Sequence, residues 1–64
     1  MNFCKLFREN AGKTAIVKMT DGEVFEGKLT GYISQADNEP EPESVLIDNI
    51  ELYTNEIADI TISG

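Results

Sequence analysis

The stretch TAIVKMTDGEVFEGKLTGYI, residues 14–33, decides the fold. Apolar and polar residues alternate on both sides of Asp21-Gly22, which is the period of a half-buried strand and not of a helix. Asp-Gly between two such runs predicts a two-residue hairpin turn. In the second run Phe25, Leu29 and Ile33 share one face, with Gly27 and Gly31 between them. Glycine inside a strand pattern predicts a sharp bend or the close approach of another backbone, so one long strand can serve both halves of a small closed sheet.

Upstream of this hairpin, Phe3, Leu6 and Phe7 recur at helical spacing. Asn2 can cap the start and Gly12 can end the helix in a left-handed turn, so a helix is predicted over residues 3–11. So short a helix is marginal by itself and needs a surface to lie on. Downstream, SVLID (44–48) is rich in branched apolar residues, and Asp48-Asn49 suits a tight turn into IELYT (50–54). EIADITI (56–62) follows with so little spacer that only a sharp turn or one turn of 3₁₀ helix fits. The expected architecture is mostly β: a short N-terminal helix, then a strongly bent five-stranded antiparallel barrel of the SH3-like kind, forming a single domain over 1–64.

With 64 residues, such a domain lies near the lower limit for a self-sufficient core. Disulfides, metals or self-association usually make up the shortfall. Cys4 is the only cysteine and histidine is absent, which removes an internal disulfide and the common zinc sets. Cys4 is expected to lie wholly or partly buried on the helix, with nothing nearby that marks a catalytic thiol. Self-association remains, and a homo-oligomer is expected.

Net charge is −7, unevenly spread. Lys5, Arg8, Lys13, Lys18 and Lys28 face four acids within the first 28 residues, whereas residues 29–64 hold eight acids and no base. A protein that neutralises phosphates needs clustered bases, so charge disfavours general RNA or DNA binding. No run reaches the length of a membrane span, and MNFCKLFREN is too short and too charged for the apolar core of a signal peptide. A soluble cytoplasmic protein without membrane partners is expected.

Between the second and third strands lies DNEPEPES, residues 37–44. Its oxygens suit a hard cation, but the spacing is not that of a calcium loop, and Pro40 and Pro42 favour an extended chain that spreads the carboxylates; no metal site is assigned. Paired acid and base chemistry needs carboxylates in contrasting environments, which an exposed run does not supply. With no histidine, no activated nucleophile and no phosphate-cradling loop, the chain is expected to be non-enzymatic and to need no cofactor. Two readings of the loop stay open: a solvated segment whose charges discourage stray strand pairing, or a docking surface of Asp37, Glu39, Glu41 and Glu43 for a basic protein.

The residues 6–32, LFRENAGKTAIVKMTDGEVFEGKLTGY, resemble the helix and first motif of the Sm and Sm-like proteins at Gly12, Lys13, Asp21, Gly22, Gly27, Leu29, Gly31 and Tyr32. IELYTNEIADITI (50–62) is similar to the second motif, and LYTNEI to the corresponding segment of the bacterial host-factor branch of RNA chaperones. The resemblance implies that the fourth and fifth strand edges pair between neighbours in a ring, placing Leu52, Tyr53, Thr54, Ile57, Ala58, Asp59, Ile60 and Thr61 at that edge; the alternative is that these segments only close the barrel of a monomer. It also points to a base-binding site at Tyr32, Asp37, Asn38, Tyr53, Thr54 and Asn55, although a tyrosine at the end of a barrel strand, as Tyr32 and Tyr53 are, is more often part of the core than a stacking surface. Here the sequence departs from the family: the Asp-Asn pair is shifted into an acidic loop, and Tyr53, Thr54 and Asn55 replace the basic pair. The expected function is an oligomerising interaction module that favours protein. The alternatives are a ring that binds RNA selectively and, third, an acidic mimic of nucleic acid.

Overall fold

A computed structural model describes residues 2–64. A short helix, α1 (Phe3–Asn10), precedes five strands: β1 (Thr14–Met19), β2 (Val24–Ile33), β3 (Ser44–Ile47), β4 (Ile50–Tyr53) and β5 (Ile57–Ile62). They form one antiparallel sheet, as the alternation and turn signals predict, and its strand order is β4-β3-β2-β1-β5. The bend lies in β2. Residues 24–28 pair with β1, whereas Leu29 and residues 31–33 pair with β3.

At both glycines it is side chains, and not another backbone, that come close. At Gly27 a Cβ atom would lie 2.6 Å from Asp48 Cγ and 3.0 Å from Ile47 Cγ2. At Gly31 it would lie 2.5 Å from Leu46 Cδ1. The missing side chains let β3 and its turn close down on β2, which curls the sheet around Ala15, Val17, Leu29, Val45 and Ile47. Helix α1 covers this core with Phe3, Leu6 and Phe7. Asn2 Oδ1 accepts from the Lys5 N–H at 3.0 Å, and Gly12, in the left-handed region at φ 84°, donates to Leu29 O at 2.8 Å. The helix ends at Asn10, one residue before the predicted limit, and its exit is thereby tied to the middle of β2.

Three local features differ from the sequence expectation. The Asp21-Gly22 turn is a three-residue loop: Met19 O accepts from Gly22 N at 3.1 Å, and Met19 N donates to Glu23 O at 2.8 Å. A two-residue turn of this kind needs positive φ at both central positions, but only Gly22 adopts it (φ 94°). The two-residue turn occurs instead at Asp48-Asn49, with φ 49° and 70°, between the paired residues Ile47 and Ile50.

The second difference is a bulge. The β2–β3 register shifts between Leu29 and Gly31, leaving Thr30 as the extra residue. A bulge reverses the facing of everything beyond it. Tyr32, paired with Val45, therefore packs against the core, while Ile33, predicted to share the face of Phe25 and Leu29, pairs with Ser44 on the other side. The third difference is α2 (Gln35–Asn38), one helical turn where the prolines suggested a loop extended throughout. Ser34 Oγ accepts from the Asp37 N–H at 3.3 Å and donates to Asp37 Oδ2 at 3.1 Å. Capping outweighs the proline preference because Pro40 and Pro42 lie beyond this turn.

Candidate functional site

The residues proposed for base binding do not form one pocket. Tyr32 shares the inner-face row with Val45 and Leu52. Tyr53 is paired with Ser44, which pairs in turn with Ile33, and this row is on the opposite face. The two rings thus flank the sheet from different sides. A single base cannot be sandwiched between them within one chain.

Each side carries a carboxylate that already holds the polar groups around it. On the inner side the Tyr32 hydroxyl donates to Glu43 in a short hydrogen bond, and Thr54 Oγ1 donates to Glu43 Oε1 at 3.2 Å. Thr54 N also donates to Glu43 O at 3.0 Å, which carries the β3–β4 ladder one step past its end. The bond to Glu43, with burial and the carboxylate charge adding to it, pushes the Tyr32 phenol up to about 12. A phenol held this way stays neutral and has its proton committed.

On the outer side Glu51 accepts from Ser44 Oγ at 2.8 Å and from Asn38 Nδ2 at 3.2 Å. Asn38 Nδ2 also donates to Pro42 O at 2.8 Å. Ser44 is fully buried although it faces away from the core. The segment 34–43 therefore folds back over the outer face of β3 and β4 and is not simply solvated. Asp37, Glu39 and Glu41 are exposed, whereas Glu43 is half-buried and occupied by Tyr32 and Thr54. Burial first, then the charges of Glu51, Glu41 and Glu56, raise the Tyr53 phenol above its ordinary value. Tyr53 thus lies in a negative field that opposes an approaching phosphate. Asn55 is exposed on the 3₁₀ turn Thr54–Glu56, which matches the abrupt connection predicted there.

The proposed edge residues divide by exposure. Leu52 and Ile60 are buried in the core, Tyr53, Thr54 and Ile57 are half-buried, and Ala58, Asp59 and Thr61 are exposed. Strands β4 and β5 are the two ends of the sheet and do not pair with each other. Among the described residues no three acids or cysteines converge as a metal cluster, and no helix is long and apolar enough to cross a membrane. Cys4 is half-buried on α1, near enough to Tyr32 to act on its phenol.

Two features escaped the sequence reading. The spacing Ser34-x-x-Asp37 is the capping signal that announces α2. The second is a cavity of about 260 Å³ lined by Met19, Phe25 and Leu52 together with Asp21, Glu23 and Glu56. Its walls come from segments about thirty residues apart, so no local pattern could reveal it. Comparison with known protein families, curated proteins and solved structures finds no match to this chain.

Proposed function

We propose that this chain is a non-enzymatic, Sm-like oligomerising module that assembles through its strand edges and binds protein in preference to RNA. The observation that carries the reading is the pair of open edges, β4 and β5, at the two ends of one bent sheet. An unpaired edge is a template for another strand, and one chain offers two that differ. Pairing β4 of one copy with β5 of the next is a heterologous contact, which closes into a ring when the rotation permits. It would also extend the small core past Leu52 and Ile60.

Protein is favoured over RNA because three of the six groups that would hold a base are engaged, Tyr32 and Thr54 by Glu43 and Asn38 by Glu51, and because Glu51, Glu41 and Glu56 act on Tyr53. Salt separates the two readings. Each copy carries a charge of −7, so assembly is opposed by self-repulsion and strengthens as salt screens it. Binding to RNA weakens with salt. Light scattering across a concentration series, at low and physiological salt, is the test. A multiple of 7.1 kDa that grows with added salt is expected; the monomer mass at high micromolar concentration in both salts would falsify the ring.

A further inference from the structure

From the cavity at the open end of the sheet we infer a binding groove for a single arginine or lysine side chain presented by a partner protein. The groove lies between the β1–β2 hairpin and the β4 end, at the opposite end of β2 from Tyr32. Its apolar floor is Met19, Phe25 and Leu52, and its rim is Asp21, Glu23 and Glu56. The two walls are joined by a hydrogen bond from Thr20 N to Glu56 O at 2.8 Å, so the groove is part of the folded frame.

Size, floor and rim agree on one occupant. A volume of about 260 Å³ is below the usual range for a drug-sized ligand, roughly 300–1,000 Å³, and suits one or two side chains. An apolar floor ringed by charge fits a side chain with an aliphatic stem and a charged head. All three charged residues of the lining are acids and none is a base, so that head must be a cation. Phe25 places an aromatic side chain in the lining, and a guanidinium can stack on an aromatic ring while donating to nearby carboxylates. Arginine is therefore preferred over lysine. None of the carboxylates of residues 37–43 lines the cavity, which separates this groove from the acidic loop as a place for a basic partner.

The inference rests on the protein-binding reading above but not on the ring, since one copy supplies every wall. The experiment titrates the full isotope-labelled chain with a short capped peptide that carries one arginine flanked by leucine, and maps backbone amide shifts. A second peptide replaces arginine by citrulline, which keeps the shape and removes the charge. Glu23→Gln and Glu56→Gln alter exposed side chains without changing their size. Asp21 is left alone because its Oδ1 accepts from Glu23 N at 2.9 Å and supports the hairpin.

Shifts centred on Met19, Glu23, Phe25, Leu52 and Glu56 are expected, with affinity falling roughly two- to five-fold in each variant and the arginine preference shrinking accordingly. The inference is overturned by equal binding of the citrulline peptide, or by shifts centred on residues 37–43. It is also overturned if the groove responds to protein concentration alone, making a second copy the occupant, or to an oligouridine. The mass of the same samples distinguishes the two ideas. A monomer that binds arginine at the groove removes only the ring, and a ring that ignores the peptide removes only the groove.

Discussion

Gly27→Ala tests the contact that bends the sheet. The added methyl would meet Asp48 Cγ at 2.6 Å and Ile47 Cγ2 at 3.0 Å. Neither neighbour is free to leave. Asp48 Oδ1 accepts from Lys28 N at 3.0 Å, and Asp48 N donates to Lys28 O at 2.9 Å, so the side chain and its backbone are both pinned to β2. Ile47 is 1 % exposed and packed on all sides. Releasing the exposed Asp48 carboxylate costs about 0.5–1.5 kcal/mol, because water takes over part of the bond. Crowding Ile47 adds about 1–3 kcal/mol. The sum is about 1.5–4.5 kcal/mol, against a total stability of roughly 3–10 kcal/mol for a domain of this size. Thermal denaturation followed by circular dichroism, at one fixed protein concentration, should show Tm falling by roughly 6–36 °C. Asp48→Gly removes the obstructing carboxylate and with it the bond from Lys28 N, but glycine relieves a left-handed backbone by about 1 kcal/mol, so alone it should be nearly neutral. In the double variant Gly27→Ala should then cost about 1 kcal/mol less. Additivity within about 0.5 kcal/mol would refute the proposed contact.

Gly31→Ala should be milder, below about 1.5 kcal/mol, because its methyl meets the movable end of Leu46; urea midpoints of the two alanine variants compare them directly. Alkaline titration of the tyrosine absorbance probes the Tyr32–Glu43 bond, since the chain has two tyrosines and no tryptophan. The Tyr32 phenol lies above its ordinary 10.0, so the folded state favours its neutral form. That stabilisation is complete below pH 10 and is lost as pH rises through about 12. Glu43→Gln should move the Tyr32 transition back toward 10.0, with Tyr32→Phe assigning it; an unmoved transition would sink the assignment. Asn38→Ala should release the fold-back segment and speed amide exchange at residues 35–44 while leaving β1 protected, and unchanged exchange would show that the Glu51 contact does not hold it. Uridine- and adenine-rich oligonucleotides should not bind at low salt; binding that Tyr53→Ala abolishes would favour an RNA site over protein docking.

Much of the fold was legible because its causes are local. Alternation over residues 14–33 reports a strand with one face buried, and Phe3, Leu6 and Phe7 report a helix that needs a surface. Gly27 and Gly31 were legible as close approaches, although the residues approaching them were not. The base-binding set was legible only as residue types. One extra residue at Thr30 decides that Tyr32 faces the core while its neighbour Ile33 does not, and nothing in the alternation marks where a bulge falls. By sequence Glu43 is one of four loop carboxylates, either solvated or facing a basic partner. Its place beside Tyr32 and Thr54 depends on how β3 meets the end of β2 and the 3₁₀ turn after β4.

By itself, then, the sequence determined a helix followed by an antiparallel meander bent at glycine, and a charge that disfavours polyanions. Periodicity, turn chemistry and charge are properties of neighbours along the chain. Only the tertiary structure decided which carboxylates are partnered, that Tyr32 and Tyr53 lie on opposite faces, and that Met19, Phe25 and Leu52 meet under an acidic rim. Those outcomes depend on strand register and long-range closure, where a shift of one residue exchanges the faces of a sheet.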